Sequence, residues 1–455
     1  MTKSTAGGGV GSVRLFGTDG VRGKAGVPPL DPATIRRIGA ALVRALPAGA
    51  PRRLVTGRDT RASGDWIERE LACGAAGQGA DVTSAGVIPT PGVAYLARAG
   101  RFGAGVMISA SHNPFDDNGI KVFSGGGEKF TEDLERHVEA IVADASLQVA
   151  GGDAPAVPSA ALVDAYVAHL RDVLPDPGRL GRLRLAIDCA NGATSEVAPR
   201  LFRELGFDVE CLACRPDGRN INLDCGSTHP GHLAARVGGD GFRLGVAFDG
   251  DGDRAIFVDH TGRVLDGDAI LLLCAAQMKA EGRLRGNAIV ATVMSNLGLE
   301  TGLRALDIGL IRCSVGDKYV MEEMLKRGLS LGGEQSGHII FSDYLFTGDG
   351  LCTTLNVLRT MAATGRALGD LASALVTYPQ VLINVPVKAR VDLATVPAVS
   401  AAMARVERQL DGTGRLLVRY SGTEPLLRIM LEGRDRTQIE GWGQEIATAV
   451  REHLG

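Results

Sequence analysis

Two serines lie in a short polar loop that directly follows an apolar stretch, in Gly105-Val-Met-Ile-Ser-Ala-Ser-His-Asn-Pro114. Residues 106–108 are predicted to be a buried strand, and Asn113-Pro114 predicts a turn, because proline fixes its own φ and disfavours helix at the preceding residue. A hydroxyl at the carboxyl end of a strand, near backbone N–H groups, suits phosphate chemistry in α/β proteins. Taken alone, the loop also fits an ordinary turn whose serines only cap the backbone.

Three aspartates alternate with glycines in Asp249-Gly-Asp-Gly-Asp253, directly after the apolar stretch 243–248. Because glycine lets the backbone bend tightly, the three carboxylates are expected to converge. Like charges that close repel unless a cation lies among them, and oxygen ligands of this kind suit Mg²⁺. An EF-hand calcium loop is excluded, since its sixth and twelfth positions hold Arg254 and His260 instead of Gly and Glu. A solvated acidic turn without metal is the remaining alternative.

Two further loops carry groups suited to a phosphorylated sugar. Arg419-Tyr-Ser-Gly-Thr-Glu-Pro425 combines a guanidinium, hydroxyls and loop amides, which is the inventory for a phosphate dianion. Gly332-Gly-Glu-Gln-Ser-Gly-His338 offers a carboxylate, an amide and a hydroxyl that suit sugar hydroxyls. Lys121 and His338 are titratable groups that could move protons. Taken alone, the loop 419–425 also fits an ordinary hairpin turn, and Lys121 and His338 also fit ordinary surface side chains.

The serine loop does not fit esterase chemistry. A nucleophile elbow requires Gly-x-Ser-x-Gly, whereas Ser111 lies in Ser109-Ala-Ser-His-Asn113, and Ser336 misses that spacing as well. A serine close to three carboxylates would be a poor nucleophile for a carbonyl. A serine that carries a phosphoryl group, with Mg²⁺ between the phosphate and the carboxylates, is electrostatically favourable.

Composition limits the class of protein. With 455 residues the chain should form two to four domains, and 45% hydrophobic with 22% charged residues indicates a soluble globular protein. The net charge of −3 predicts no binding to nucleic acid or to anionic membranes. The longest apolar run, 269–278, is half of a membrane span, and the N-terminus does not resemble a signal peptide. The eight cysteines, of which only Cys211 and Cys214 form a C-x-x-C pair, are interpreted as reduced thiols in a cytoplasmic protein.

Alternating strand and helix patterns position these loops. Three successive β-α-β units are predicted, with a helix cap at Asp31 in the first and at Asp268 in the third. Residues 145–160 are rich in Ala, Gly, Pro and Ser and are interpreted as a linker. The remainder, 380–455, is predicted to be a small α+β domain of a strand, a helix, two strands and a final helix.

Taken together and in this order, the four loops resemble the signatures of the α-D-phosphohexomutase family over nearly the whole chain. The matching motifs are Ser-Ala-Ser-His-Asn-Pro, Asp-Gly-Asp-Gly-Asp-Arg, Gly-Gly-Glu-x-Ser-Gly-His and Ser-Gly-Thr-Glu-Pro. Within that family, four segments are similar to bacterial phosphoglucosamine mutases: FGTDGVRG (16–23), DCANGATSEVAP (188–199), NINLDCGSTHP (220–230) and GGEQSGH (332–338). Gln335 supports this subgroup, because the phosphomannomutase/phosphoglucomutase relatives usually have Met there.

The resemblance implies an α/β protein in which three similar mixed α/β domains and a smaller C-terminal α+β domain surround a central cleft. Each domain would give one loop to that cleft. The expected domains are residues 1–158 with the phosphoserine loop, 159–264 with the metal-binding loop, 265–376 with the sugar-binding loop and 377–455 with the phosphate-binding loop.

The resemblance also implies roles for individual residues. Ser111, the serine directly before His-Asn-Pro, would be the phosphoserine, and Ser109 would be loop scaffold. Mg²⁺ would be held by a phosphoserine oxygen of Ser111 and by Asp249, Asp251 and Asp253. Lys121 is the candidate for handling the hydroxyl proton, with Arg22, Arg254 and His338 as further catalytic candidates. The expected substrate-binding residues are Glu334 and Ser336 for the sugar, and Arg419, Ser421, Gly422, Thr423 and Arg428 for the non-reacting phosphate.

The implied reaction interconverts glucosamine 6-phosphate and glucosamine 1-phosphate in the cytoplasm, feeding UDP-N-acetylglucosamine and cell-wall synthesis. Phospho-Ser111 would give glucosamine 1,6-bisphosphate, which serves as activating intermediate, turns over in the cleft and returns its other phosphoryl group. The expected partner is a small sugar phosphate, with a homodimer as the possible assembly. Alternatives are a phosphomannomutase/phosphoglucomutase, a metal-dependent phosphatase and a non-catalytic sugar-phosphate-binding protein. Tyr420 departs from the family, which usually has a small residue or Pro there.

Overall fold

The computed structural model describes residues 14–17, 19–149, 154–239, 241–421 and 425–455. The chain forms two compact units. The larger unit contains the described residues up to Val293 together with Ile311–Ala372, and the smaller unit contains Met294–Leu310 together with Ser373–Gly455. Within the described ranges, no helix combines the length and the apolar character needed to cross a bilayer.

The first sheet of the larger unit has six strands in the order β1-β5-β4-β2-β3-β6. Strands β4, β2, β3 and β6 are parallel, whereas β5 runs antiparallel to both β4 and β1. The elements are β1 (Val21–Lys24), α1 (Pro32–Arg44), β2 (Arg53–Arg58), α2 (Gly64–Ala76), β3 (Asp81–Val87), α3 (Thr90–Ala99), β4 (Ala104–Ile108), β5 (Asp117–Ser124), α4 (Glu132–Ala143) and β6 (Val157–Pro158).

This sheet is held by a buried core, and its helices begin where the sequence indicates caps. The Asp31 side chain accepts the N–H of Thr34 at the start of α1, and the Thr131 hydroxyl accepts that of Leu134 at the start of α4. Apolar side chains such as Leu54 and Ile108 from the strands pack in one cluster with Ile38 of α1. Burial on this scale removes about 25 cal/mol of unfavourable hydration per Å² of apolar surface, so the strands that end at the serine loop are firmly placed.

The second sheet has the order β11-β10-β9-β7-β8. Strand β7 is parallel to β8 and β9, and β10 is antiparallel to both β9 and β11. The elements are α5 (Ala160–Arg171), β7 (Arg184–Asp188), α6 (Val197–Glu204), β8 (Asp208–Leu212), α7 (Gly231–Val237), β9 (Leu244–Phe248), β10 (Ala255–Asp259) and β11 (Val264–Leu265). Because β9 is fully buried and ends at Phe248, the aspartate triplet begins at the carboxyl end of a central strand.

The third sheet has four strands in the order β13-β12-β14-β15. The elements of this part of the chain are α8 (Gly267–Ala280), β12 (Ala288–Thr292), α9 (Leu297–Ala305), β13 (Gly309–Cys313), α10 (Asp317–Arg327), β14 (Leu331–Gly333), β15 (Ile339–Phe341), α11 (Gly350–Thr364) and α12 (Leu368–Ala372). The prediction of a cap at Asp268 is wrong by two residues. The Asp266 carboxylate accepts the Ala269 N–H as the N-cap, and Asp268 is buried in the first turn.

The smaller unit contains the predicted C-terminal α+β arrangement. Its three strands pair antiparallel in the order β16-β18-β17, and the elements are β16 (Gln380–Pro386), α13 (Pro397–Leu410), β17 (Arg415–Tyr420), β18 (Leu426–Glu432) and α14 (Arg436–Leu454). The segment with α9 belongs to this unit through hydrogen bonds. Asn296 exchanges two bonds of 3.0 Å with the Tyr378 backbone, and Arg415 donates to the Ser295 carbonyl at 2.9 Å.

A buried carboxyl at the start of α11 makes stability depend on pH. Asp349 caps this helix at the Cys352 N–H and accepts the Tyr166 hydroxyl at 2.9 Å, and burial raises its pKa to about 6. Since this exceeds the ordinary value of 3.8, the folded protein holds the proton more tightly than the unfolded chain. The stabilising contribution is therefore complete below about pH 4 and is lost as the pH rises through about 6.

Asp349→Asn should remove that dependence, because the amide keeps the cap and cannot ionise. Relative to wild type, the variant should gain up to about 3 kcal/mol of unfolding free energy between pH 4 and pH 7.5. Urea unfolding midpoints across this range provide the measurement, with Asp31→Asn at the half-exposed cap of α1 as control. A difference between variant and wild type that is the same at every pH would contradict the account.

Candidate active site

Ser111 lies in the turn after β4, with its backbone in the left-handed region at φ 50° and its side chain buried. Its Oγ donates to Asp249 Oδ2 at 2.5 Å and lies 3.3 Å from His112 Nδ1. A non-glycine residue at positive φ is uncommon and costs about 1 kcal/mol or more. The hydroxyl is thus held at the aspartate loop in a conformation that the surrounding structure imposes.

The aspartate loop follows β9 and turns tightly against the serine loop. Gly252 has φ 73°, and a Cβ at Gly250 would lie 2.5 Å from the Ser111 carbonyl oxygen, so both positions need glycine. Asp249, Asp251 and Asp253 are at most 3% exposed, and each places one carboxylate oxygen within 4.8 Å of the others. The three carboxylates therefore converge as predicted, and one of them, Asp249, contacts Ser111.

Lys121 of β5 faces these carboxylates from within the sheet. Its ammonium is 2.8 Å from Asp251, 3.1 Å from Asp253 and 3.2 Å from Asp19. Burial opposes the charge, but the three carboxylates raise the pKa of Lys121 well above its ordinary value. Lys121 is therefore an ammonium that can donate a hydrogen bond or a proton and that offsets the charge of the aspartates.

The donor set fits a hard divalent cation. Burial, and then the charges of Asp253 and Asp251, raise the pKa of Asp249 well above its ordinary value, so a third negative charge in this loop is unfavourable unless a cation lies beside it. Asp251 Oδ1 and Asp253 Oδ1 are buried without a hydrogen-bond partner among the described residues. Unpartnered buried carboxylate oxygens carry a large desolvation cost, which Mg²⁺ ligation would relieve.

A second charged cluster, which the sequence reasoning missed, continues from this site. Asp19 accepts hydrogen bonds from Arg22 at 2.5 Å and from Lys129 at 2.5 Å, and Lys129 also pairs with Asp317. Burial opposes ionisation, but Lys121, Lys129 and Arg22 lower the pKa of Asp19 well below its ordinary value. Asp19 therefore joins two predicted catalytic residues, Arg22 and Lys121, through one carboxylate.

Arg22 reaches from β1 to the serine loop. Its guanidinium donates to the Ala110 carbonyl at 3.0 Å and reaches Asn113 Oδ1 at 3.5 Å. Arg254, directly after the aspartate triplet, donates its backbone N–H to Asp249 Oδ1 at 3.1 Å, and its buried Nε has no hydrogen-bond partner among the described residues. Both guanidinium groups border a cavity, where they can contact an anionic ligand.

The glycine-rich loop between β14 and β15 places Glu334 and His338 at the same cavity. Glu334 accepts the Gly316 N–H at 3.2 Å and the Ser336 hydroxyl at 3.4 Å. His338 is 2% exposed, and its Nε2 lies 3.2 Å from the Gly348 nitrogen and 3.3 Å from Asp317 Oδ2. Its Nδ1 is buried and lacks a hydrogen-bond partner within the described part of the chain.

The cavity has a volume of about 640 Å³, which is within the range for small-molecule sites. Most of the residues that line it have charged or polar side chains, which favours a phosphorylated sugar over a hydrophobic ligand. The charged and titratable side chains of the lining are Arg14, Asp19, Arg22, His112, Asp253, Arg254, Asp317, Glu334 and His338. Burial, and then Arg254 and Arg22, lower the pKa of His112, so this ring is neutral beside Ser111.

The predicted phosphate loop belongs to the smaller unit. Arg419 and Arg428 face each other across the β17–β18 pair, and burial, followed by the charge of Arg428, lowers the pKa of Arg419. Ser421 is buried, and its carbonyl accepts a hydrogen bond of 2.6 Å from Arg390. Gly422 and Thr423 lie outside the described residues. The unusual Tyr420 is anchored, because its hydroxyl donates to the Val391 carbonyl at 2.9 Å and accepts the Val391 N–H at 3.2 Å.

Comparisons with known proteins agree with the predicted fold class. The four phosphoglucomutase/phosphomannomutase domain families match in order: alpha/beta/alpha domain I at residues 13–148, domain II at 164–262, domain III at 266–378 and the C-terminal domain at 382–449. The fold resembles a phosphoglucomutase/phosphomannomutase family protein from Burkholderia thailandensis, with a TM-score of 0.81, 24% identity and coverage of 97% of this chain and 98% of that chain. The predicted four-domain phosphohexomutase fold, with three mixed α/β domains and a smaller C-terminal domain, is confirmed.

Curated relatives match over nearly their whole length. A phosphoglucosamine mutase of Solibacter usitatus is 49% identical over 444 residues, covering 97% of this chain and 99% of the relative. A phosphoglucosamine mutase of Syntrophotalea carbinolica is 45% identical over 448 residues, covering 97% of this chain and 98% of the relative. Since identities of this size extend through all four domains, the chain belongs to the phosphoglucomutase/phosphomannomutase family, the α-D-phosphohexomutases, together with these phosphoglucosamine mutases.

Proposed function

We propose that this chain is a phosphoglucosamine mutase, an intramolecular phosphotransferase that interconverts glucosamine 6-phosphate and glucosamine 1-phosphate. The observation that carries the proposal is the Ser111 hydroxyl 2.5 Å from Asp249, in a buried three-aspartate site beside a polar cavity. The names of the curated relatives support the amino sugar as substrate. The product would feed UDP-N-acetylglucosamine and cell-wall synthesis.

We propose that Ser111 carries the phosphoryl group that is transferred to the sugar. The O1 hydroxyl of glucosamine 6-phosphate attacks the phosphorus of phospho-Ser111, and the new O1–P bond forms as the Ser111 Oγ–P bond breaks. The O1 hydroxyl proton passes to the departing Ser111 Oγ, which becomes a neutral hydroxyl again, and Lys121 is the proposed group that handles this proton. Lys121 neutralises charge beside the aspartates, and Arg22 and Arg254 can contact the equatorial phosphoryl oxygens. Positioning and electrostatic stabilisation of this kind supply most of the catalysis in phosphoryl transfer.

The reverse half of the cycle uses the same groups. Glucosamine 1,6-bisphosphate reorients so that its 6-phosphate faces Ser111, whose Oγ takes that phosphoryl group and leaves glucosamine 1-phosphate. Glu334 and Ser336 would read sugar hydroxyls in either orientation, and His338 would donate a hydrogen bond from its unpartnered nitrogen. The non-reacting phosphate would be bound by Arg419, Ser421, Gly422, Thr423 and Arg428.

Asp249, Asp251, Asp253 and a phosphoserine oxygen of Ser111 would hold Mg²⁺. When bound, the ion would neutralise negative charge on the transferring phosphoryl group. The buried Oδ1 atoms of Asp251 and Asp253, which accept no hydrogen bond from the described residues, support this assignment. The domain limits 1–158, 159–264, 265–376 and 377–455 remain predictions. We also propose a cytoplasmic location, no nucleic-acid or membrane partner, and a homodimer as the possible assembly.

Phosphorus NMR of glucosamine 6-phosphate incubated with enzyme, Mg²⁺ and a trace of glucosamine 1,6-bisphosphate tests the function. We expect a resonance of glucosamine 1-phosphate to grow to an equilibrium value. Inorganic phosphate as the main product would indicate a phosphatase, and an unchanged spectrum would indicate a binding protein. Faster conversion of glucose or mannose phosphates would assign the chain to the phosphomannomutase/phosphoglucomutase activity instead.

Asp251→Asn should weaken the response to Mg²⁺, because it removes one anionic ligand from the three. The Mg²⁺ concentration for half-maximal rate should rise at least about tenfold, with a fall in kcat on the order of a hundredfold. Titration of activity with Mg²⁺ provides the measurement. Asp259→Asn, a buried aspartate at the far end of β10 in the same sheet, is the matched control. Equal Mg²⁺ responses in the two variants would show that the aspartate triplet does not bind the metal ion.

A further inference from the structure

Ser111 is held by a group of buried residues that lies behind it in the first sheet. Its backbone N–H donates to Ser109 Oγ at 3.0 Å, and the Ser109 hydroxyl in turn donates to Asp59 Oδ2 at 2.5 Å. Ser109 and Asp59 are at most 1% exposed, so water cannot replace either bond. One hydroxyl therefore connects the amide of the reactive serine to a buried carboxylate.

Arg61 completes this group and reaches the serine loop from the same side. Its guanidinium forms a buried ion pair with Asp59 and donates to the carbonyls of Ser111 at 3.1 Å and of Asn113 at 2.6 Å. Asn222 donates its side-chain amide to the same two carbonyls, at 2.8 and 3.0 Å. The backbone N–H of Ser111 is thus bound by Ser109, and its carbonyl is bound by both Arg61 and Asn222.

These contacts account for the unusual backbone of Ser111. A serine gains nothing intrinsically from φ 50°, so the conformation persists only because its N–H and C=O are both held. In that conformation the Oγ points to Asp249 instead of toward solvent. Loss of one of these hydrogen-bond partners would let Ser111 relax to negative φ, and its hydroxyl would then move away from the aspartate triplet.

We propose that Asp59, Arg61 and Ser109 are positioning residues that hold the phosphoryl-carrying serine in a left-handed conformation directed at the aspartate loop. The proposal rests on the proposed function, since it assigns a task to these residues in phosphoryl transfer. They do not touch the substrate and act through Ser111. A misplacement of about 1 Å at a reacting atom lowers rates on the order of a hundredfold, so the effect should be on kcat.

The same sheet contains a matched control for Ser109. Ser84 of β3 is also buried, donates its hydroxyl to a buried carboxylate, Glu68, at 2.7 Å, and accepts the N–H of the residue two positions later, Gly86, at 3.0 Å. Ser109 makes the same pair of bonds to Asp59 and Ser111, and it accepts a third, longer bond of 3.4 Å from Arg61. Substitution of either serine by alanine removes this pair of bonds, but only the pair at Ser109 includes the reactive serine.

Ser109→Ala should lower kcat for glucosamine 6-phosphate by about thirtyfold to a hundredfold, with KM changed by less than about twofold. Ser84→Ala should lose a similar amount of thermal stability and keep the wild-type kcat. Equal kcat values in the two variants, in a preparation whose wild type converts the substrate, would overturn the proposal. A wild type that fails to convert glucosamine 6-phosphate would overturn the proposed function instead.

If Ser109→Ala does not yield folded protein, Asn222→Gly decides the question. Glycine accepts the φ of 59° at this half-buried position and removes only the donors to the Ser111 and Asn113 carbonyls. We expect kcat to fall by about tenfold with KM unchanged, because each carbonyl then has one donor, Arg61, instead of two, and Ser111 is held less firmly at positive φ. An unchanged kcat in this variant would show that holding these carbonyls does not matter for transfer, and it would overturn the proposal.

Discussion

Replacement of Ser111 by alanine is expected to abolish turnover of glucosamine 6-phosphate, with a loss in kcat on the order of 10⁴-fold or more. The loss should be this large because the variant has no atom to accept or deliver the phosphoryl group. The fold should survive, since alanine keeps the backbone bonds of Ser111 to Ser109, Arg61 and Asn222. Intact mass after incubation with glucosamine 1,6-bisphosphate should show one phosphoryl group on wild type and none on the variant.

Ser124→Ala provides the control, because this half-buried serine ends β5 of the same sheet and its hydroxyl accepts the Gly126 N–H at 3.1 Å in the following turn, away from the aspartate triplet. It should keep both the covalent phosphate and the activity. A Ser111→Ala protein that still acquires phosphate and turns over at the wild-type rate would show that another residue is the carrier.

Replacement of Lys121 by methionine should affect both stability and catalysis. Methionine fills much the same space but leaves the buried Asp251 and Asp253 and the half-buried Asp19 without the ammonium that contacts all three. Removal of one partner from a buried charge cluster costs about 3–5 kcal/mol of unfolding free energy. The kcat for glucosamine 6-phosphate should also fall at least about a hundredfold, because positive charge beside the transferring group is lost.

The stability of the Lys121→Met protein should depend on Mg²⁺ far more than that of wild type. A cation bound by the aspartates would compensate part of the lost charge and raise the thermal midpoint by several degrees. Lys318→Met is the matched control, since Lys318 is buried in an ion pair of 2.9 Å with Glu135. Thermal unfolding with Mg²⁺ and with a chelator provides the measurement. The same Mg²⁺ response in both variants would contradict the account of the aspartate site.

Two loops of the site could be predicted because each follows a strongly apolar strand. Strand β4 ends at Ile108 and β9 ends at Phe248, so the serine loop and the aspartate triplet were recognisable from a break in hydrophobicity. The small C-terminal domain was predictable because its strands and helices also form separate apolar segments between polar turns. The motif order then identified the family, which composition and periodicity could not have done.

Other parts of the site were hidden because they depend on contacts between distant residues. Strand β5 contains Asn118, Gly119 and Lys121, so its sequence does not have the pattern of a buried strand, although six of its eight residues are buried. Lys129 and Asp317 are 188 positions apart and look like surface charges until the fold brings them together. Asp59 and Arg61 likewise follow a strand without any motif, and Ser109 was interpreted only as loop scaffold.

The transfer of label from phosphorylated Ser111 to the sugar tests whether this serine is the phosphoryl carrier. Enzyme labelled with ³²P at Ser111 is mixed with unlabelled glucosamine 6-phosphate in excess of enzyme and with Mg²⁺, and the products are separated at successive times. We expect the label to leave the protein and to appear first in glucosamine 1,6-bisphosphate and then in glucosamine 1-phosphate. Label that passes to inorganic phosphate, or that stays on the protein while substrate is converted, would contradict it.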